Sequence, residues 1–182
     1  KDLRNHNILV VGSSNTDMVI KTNHLPRPGE TVLGEHFYEP GWEGANQAVA
    51  VARLGGQVSF ICKTGSDIFG HQSQRLFEEE GIDTSYIFSD PKNPSGVALI
   101  TVDAHAENCI VVASGQMELL PTDLAKAEEA IEQAELILMQ LEIPMDTVEF
   151  VAKTAWKKNK RVILNPAPAQ PLSLRYSVHL VL

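Results

Sequence analysis

The chain has 182 residues, 43% apolar and 21% charged, with a formal net charge of −8. That length fits one domain, or one domain with a small appendage, and a chain of this size buries roughly 70% of its unfolded surface. The acidic balance excludes a general binder of nucleic acid or anionic membrane, which needs a basic surplus to neutralise phosphates.

The first predicted element is a strand, "ILVVG" at 8–12, a short apolar run closed by glycine. The stretch 17–40, from "DMVIKT" to "ETVLGEHFYEP", shows strand patterns and turns but no helix. A helix follows: Ala45, Ala48, Val49 and Ala52 recur at i, i+3, i+4 and i+7, and Gly55-Gly56 stops it. "QVSFICK" at 57–63 is the next strand, and a second helix starts near Asp67 and ends before Gly81. "SGVALITVDAHAENCIVVA" at 95–113 reads as a hairpin around "DAHAEN". A third helix is expected from Thr122 or Asp123, with Leu124, Ala127, Ile131 and Ala134 on one face. Strand "LILMQL" at 136–141 precedes a helix after Pro144, with Val148, Val151, Ala152 and Ala155 inward. Strands "RVIL" at 161–164 and "VHLVL" at 178–182 complete the series, and "KKNK" at 157–160 is a solvated helix end.

Apolar strands alternating with helices predict an α/β fold, its parallel sheet covered on both faces. The helix-free stretches, with strands within about 17–40 and 95–113, form a small second sheet; a lid over a site and an edge decoration account for them equally. Cys62 and Cys109 both sit in apolar runs and read as buried free thiols, which fits the cytoplasm. The sequence shows no signal peptide and no apolar run long enough to span a bilayer.

Ligands of open parallel sheets bind beyond the carboxyl ends of the strands. After the first strand come Ser13, Ser14, Asn15 and Asp17; after 136–141 comes Glu142; after 161–164 comes Asn165 in "NPAPA". The glycine turn at 41–44 adds a helix N-terminus and Asn46. Carboxylates accept hydrogen bonds and amides both donate and accept, so this set suits a polyol, and a lysine-free glycine turn can hold a neutral, hydroxyl-rich ligand. Each residue also has a plain structural use. Asn15 and Asp17 can cap a turn, Glu142 can be a loop residue before Pro144, and Asn165 can satisfy backbone in a proline-rich turn.

"VVGSSNTDMVIKTNHLPRPGETVLG", "GANQAVAVARLGGQVSFICKTGSDIFG", "PSGVALITVD", "LMQLEIP" and "NPAPA" occur in this order over nearly all of 7–171. In this the chain resembles the ribokinase-like (PfkB-type) carbohydrate kinases. The resemblance implies a three-layer α/β/α fold with a parallel-rich central sheet and a small β lid that also pairs subunits as a homodimer. It implies ATP-dependent phosphorylation of D-ribose to ribose 5-phosphate, with ATP and Mg²⁺ as cofactors and room for a monovalent cation. Carried over by position, Asn15 and Asp17 would hold sugar hydroxyls, and Gly41 and Asn46 would belong to the sugar-binding turn. Glu142 would face the same pocket, the strand at Val97 and Ala98 would cover the sugar, and Asn165 would lie near the junction with the nucleotide site.

The departures from that family are specific. Where it reads G-G-K-G-A-N-Q this chain reads "GWEGANQ", so Trp42 replaces a glycine and Glu43 a lysine. A Glu in a first helical turn is electrostatically favourable; Trp42 either stacks on a sugar or blocks its pocket. Gln116-Met117 stand where the family reads S-G-A-N-type sequence. The family continues for well over a hundred residues past "NPAPA", with a G-A-G-D motif that carries the catalytic base. The chain is therefore expected to be the N-terminal, sugar-binding part of such a kinase, incomplete at its C-terminus, without a catalytic residue or metal ligands, and inactive alone. The alternatives are a non-catalytic truncated chain or weak sugar-binding module, and a dinucleotide-binding oxidoreductase. The last rests on "ILVVGSSN" alone, and G-x-G-x-x-G is missing.

Overall fold

The computed structural model describes residues 6–38, 45–113, 119–172 and 179–180. Its elements are β1 (Asn7–Val11), β2 (Asn15–Lys21), β3 (His36–Tyr38), α1 (Asn46–Arg53), β4 (Gln57–Gly65), α2 (Ile68–Glu79), β5 (Ile87–Asp90), β6 (Gly96–Val102), β7 (Asn108–Ala113), α3 (Pro121–Leu124), a 3₁₀ turn (Ala125–Ala127), α4 (Glu128–Gln133), β8 (Leu136–Met139), α5 (Met145–Lys157), β9 (Arg161–Leu164) and β10 (His179–Leu180).

Side chains of β1 alternate between two cores. Ile8 and Val10 pack with Val58, Phe60 and Cys62 of β4 and with Ala48, Val49 and Phe77 of α1 and α2. Leu9 and Val11 pack with Ile137 and Met139 of β8 and with Ile131, Val148 and Val151 of α4 and α5. Helices therefore cover both faces of the sheet, as its apolar strands predict. Phe60 and Phe77 meet edge to face, their ring centres 5.3 Å apart.

The strand order in this six-stranded sheet is β10-β9-β8-β1-β4-β5. Every pairing in it is parallel. Sequence runs outward from β1 in both directions, to β4 and β5 on one side and to β8, β9 and β10 on the other. β1 is thus the topological switch point, where parallel sheets open a crevice at the strands' carboxyl ends.

The second sheet has the order β3-β2-β6-β7, with β2 and β6 parallel and the other pairs antiparallel. The register puts Asp17 beside Ala98, Ala98 beside Val112 and Asn15 beside Gly96, so these residues share one face. Leu99 and Val111 are cross-strand partners on the opposite face and are exposed.

Several details depart from expectation. Asn15 and Asp17 lie on β2 rather than in the loop after β1, because the chain turns into the second sheet within residues 12–14. Cys109 is exposed, not buried, because all six residues of β7 are exposed; Cys62 is buried as expected, and burial pushes its thiol pKa up. The third helix starts at Pro121, since proline's fixed φ suits the first helical position, and it breaks into a 3₁₀ turn before α4. β5 has no counterpart in the predicted elements. The final strand is described only at His179–Leu180. No described helix is long and apolar enough to cross a membrane.

Three helices end by one device. The N–H groups of Gly55 and Gly56 bond the carbonyls of Ala52 and Val51, those of Gly81 and Ile82 bond Glu78 and Phe77, and those of Asn159 and Lys160 bond Trp156 and Ala155. The residue that turns the chain has φ of 91° at Gly55, 75° at Gly81 and 54° at Asn159, the left-handed geometry of a Schellman cap. A Cβ at Gly81 would meet nothing within 4 Å. Gly81→Ala therefore isolates backbone strain and is expected to cost about 1–2 kcal/mol. Urea unfolding checks this: the midpoint should fall at an unchanged slope, and an unmoved midpoint would refute the cap assignment.

Candidate functional site

A cavity of about 520 Å³ opens beyond the carboxyl end of β1. Gly12, Ser13 and Ser14 enter it from the β1–β2 connection, Asn15 from the start of β2, Glu142 from the segment after β8, Lys63 from β4 and Val112 from β7. The Ser13 hydroxyl donates to Glu142 Oε2, tying the two sides of the crevice together. Lys63 Nζ lies 3.2 Å from Asp123 Oδ2 and 4.0 Å from Asp90 Oδ2, which fixes an ammonium in the wall.

Backbone bonds explain why the segments after β8 and β9 run side by side. The Asn165 N–H donates to the Met139 carbonyl and the Leu141 N–H to the Ala167 carbonyl, both at 2.9 Å. Gln170 Nε2 adds a bond to the Leu141 carbonyl at 2.9 Å. These place Ala167 and Pro168 of "NPAPA" in the cavity lining next to Glu142. On another wall, the buried Thr147 hydroxyl of α5 donates to the Leu119 carbonyl at 2.5 Å, holding Leu119 against the cavity.

The cavity brings Asn15 and Glu142 together. Asp17 and Ala98 are adjacent on the same sheet face as Asn15, 4% and 1% exposed, but are not in the cavity lining. Asn46 is exposed at the start of α1 and Asn165 is half-buried, and neither lines the cavity. Gly41, Trp42 and Glu43 lie outside the described residues, as do Gln116 and Met117. The cavity thus offers an amide, two serines, a carboxylate and an ammonium in an otherwise largely apolar recess, a set of donors and acceptors matched to a small hydroxyl-bearing ligand. Among the described residues, no group of three or more His, Cys, Asp or Glu could hold a metal ion.

The description "pfkB family carbohydrate kinase" matches residues 5–181. The chain belongs to this family. It is 45% identical over 168 residues to the ribokinase of Haemophilus influenzae, covering 91% of this chain and 55% of that protein. It is 42% identical over 168 residues to the ribokinase of Bacillus subtilis, covering 91% and 57%. The structure of Arabidopsis thaliana ribokinase complexed with ribose and ATP superposes with a TM-score of 0.75 at 29% identity, covering 88% of this chain and 53% of that one. The chain spans about half the length of the curated relatives it matches.

Within this pfkB-family chain, two groups carry no expectation from the sequence, and a third carries only that of a helix start. Lys63 is the lone charged residue in the run "VSFICKTG", and Gln140 is the lone polar residue in "LILMQL". A polar residue near the carboxyl end of a covered strand is the signal that could have singled out both. Asp67 is the third. Its Oδ1 caps α2 by accepting the Gly70 N–H at 2.9 Å and also accepts the Ser95 hydroxyl at 2.6 Å, while Oδ2 accepts the Ser95 N–H at 2.7 Å. The Ser95 hydroxyl oxygen in turn accepts the Gly65 N–H at 3.0 Å. This knot joins the end of β4, the start of α2 and the start of β6.

Burial works to raise the Asp67 pKa, but the Ser95 hydroxyl, the Ser95 N–H and the Gly70 N–H outweigh it and hold the carboxyl below its ordinary value of 3.8. A carboxyl lowered on folding stabilises fully above its unfolded pKa, and that contribution is lost as pH falls through the folded value. Asp67→Asn should therefore lower stability near neutral pH and flatten its loss below about pH 4. Thermal midpoints measured across that range test this, and parallel acid limbs for the two proteins would refute it.

Proposed function

We propose that this chain supplies the sugar-binding half of an ATP-dependent carbohydrate kinase acting on ribose or a closely similar pentose. The observation that carries the reading is the convergence of Asn15 and Glu142 on one cavity at the switch point of a pfkB-family sheet. In this reading Asn15 and Glu142 bind sugar hydroxyls, with Ser13 holding Glu142 in place. Asp17 and Ala98 reach the sugar from the face of β2 and β6 that they share with Asn15, and this small sheet acts as the lid. Gly41 and Asn46 belong to the same sugar site, and Asn165 stands toward the nucleotide. The exposed pair Leu99 and Val111 on the outer face gives the lid an apolar surface for a second copy of the chain. The free cysteines Cys62 and Cys109 suit a cytoplasmic location.

The described residues do not fit ATP or Mg²⁺: they form no metal-holding group, and the sequence contains no G-x-x-x-x-G-K-[ST] loop. In this proposal the nucleotide, Mg²⁺, any monovalent cation and the catalytic base belong to the part of the longer relatives that this chain does not span. What its own residues do is bind the sugar, orient its hydroxyls and cover it.

Calorimetric titration with ribose tests the site. Saturable, weak binding is expected, and Asp17→Ala should abolish it by removing a hydroxyl acceptor. Equal affinities for the two proteins would overturn the site assignment, and a silent titration of the unaltered chain would overturn the sugar reading. The half-length match favours a second reading, a sugar-binding module without catalysis. A coupled ADP-release assay separates the two. Turnover is expected only when a polypeptide matching the second half of a relative is mixed in, because loss of a general base alone costs about 10²–10⁴-fold. Ribose-dependent turnover by this chain alone would refute the division of labour; saturable sugar binding with no turnover on mixing would favour the module.

A further inference from the structure

One amide pair, Gln140 and Gln47, links two segments that line the cavity to the start of α1. Gln140 follows β8, is 4% exposed, and stands two residues before Glu142. Its Nε2 donates to Gln47 Oε1 at 2.6 Å. Gln47 is the second residue of α1, directly after Asn46. The amide oxygen of Gln140 lies against Gly12, so close that a Cβ at that position would collide with it. Gly12 is the residue through which β1 opens into the cavity.

α1 is short and has no side-chain cap at its N-terminus; Ala45 stands at the capping position and no acidic residue lies in the first turn. Among the described residues, nothing local to the helix sets where its first turn begins. Its buried side is short, Ala48 and Val49 with Ala45 at the capping position, and offers apolar contacts without direction. A hydrogen bond from a buried amide such as that of Gln140 is directional and costly to leave unmade. Such a bond from the end of β8 supplies the position that the helix lacks.

The geometry points to Gln140 as a positioning residue: through Gln47 it fixes the start of α1, and with it Asn46, relative to Asn15 and Glu142. Sugar affinity then depends on an amide that does not line the cavity. The part concerning sugar rests on the proposed function; the part concerning α1 does not.

Two variants probe the bond from either end, Gln140→Met and Gln47→Met, each keeping side-chain length while removing the amide. Hydrogen exchange reads the helix directly. The amides of Val49 and Leu54, which bond Ala45 and Ala50, should exchange about tenfold faster in both variants, with α5 unchanged. The double variant should be no faster than Gln140→Met alone, because each single change already removes the Gln140–Gln47 bond. Unaltered α1 exchange, or single effects that add, would overturn the assignment. If Gln140→Met unfolds the chain, Gln47→Met, at a half-exposed position, decides alone. Ribose affinity should weaken about fivefold in each single variant and no further in the double. Faster α1 exchange with unchanged ribose affinity would overturn the link to the site. An unaltered chain that binds no ribose would remove that link together with the proposed function, while exchange would still decide whether Gln140 holds α1.

Discussion

Everything in this molecule is arranged around the burial of β1. Both of its edges are paired, to β4 and to β8, and both of its faces are covered by apolar layers. A strand so enclosed has no place for a polar side chain, because a buried polar group without a partner is costly. Polar chemistry can begin only where the chain escapes, and it does so at once: Gly12, Ser13, Ser14 and Asn15 follow in four successive positions. The neighbours on the two sides of β1 end in the same region, so Lys63 of β4 and Glu142 after β8 arrive at one recess without any dedicated loop to carry them there.

Among the described residues, the second sheet is attached at that same exit and through the Asp67–Ser95 knot. The two attachments differ in kind. Residues 12–14 are covalent and short, so β2 inherits its position from β1 directly. β6 comes after β5 and a loop, and its position depends on a carboxylate that accepts three hydrogen bonds while capping α2. A charge-assisted network of this kind is stronger than neutral bonds of the same number. It ties the orientation of the second sheet to the packing of α2 on the first.

Much of this was legible in the sequence for a simple reason: strands covered on both faces must be apolar throughout, and β1, β4, β8 and β9 announce themselves in that way. The helices did the same through their spacing, with Leu124, Ala127 and Ile131 all fully buried as expected. What stayed hidden was whatever a period cannot report. Asn15 reads as part of the loop after the first strand and Asp17 as the start of a strand-bearing stretch, yet β2 begins at Asn15 and its alternation turns both toward the same face. The contacts of Gln140 with Gln47 and of Asp67 with Ser95 span 93 and 28 residues, so no local pattern reveals those partners. Cys109 misled because an apolar run was taken to mean cover, whereas β7 is an edge strand with all its residues exposed. Family motifs led to Asn15 and Glu142 in one cavity, but neither they nor the spacing indicated Lys63.

The parallel pairing of β2 with β6 constrains how the chain can fold. Met18 and Leu99 are partners about eighty residues apart, and most of the first half of the main sheet lies between them. Parallel strands cannot be joined by a tight turn, and closing so long a loop gains nothing until the ends meet. The second sheet is therefore a structure of high contact order: α1, β4, α2 and β5 lie within the loop that closes when β6 meets β2, and the β1–β8 pairing, with Ile8 opposite Leu136, closes a longer one. Among the described residues, its outer strands β3 and β7 pair only with that central couple. The face that carries Asn15 and Asp17 is thus built from segments far apart in the chain, and its formation is tied to the closure of a long loop rather than to any local turn.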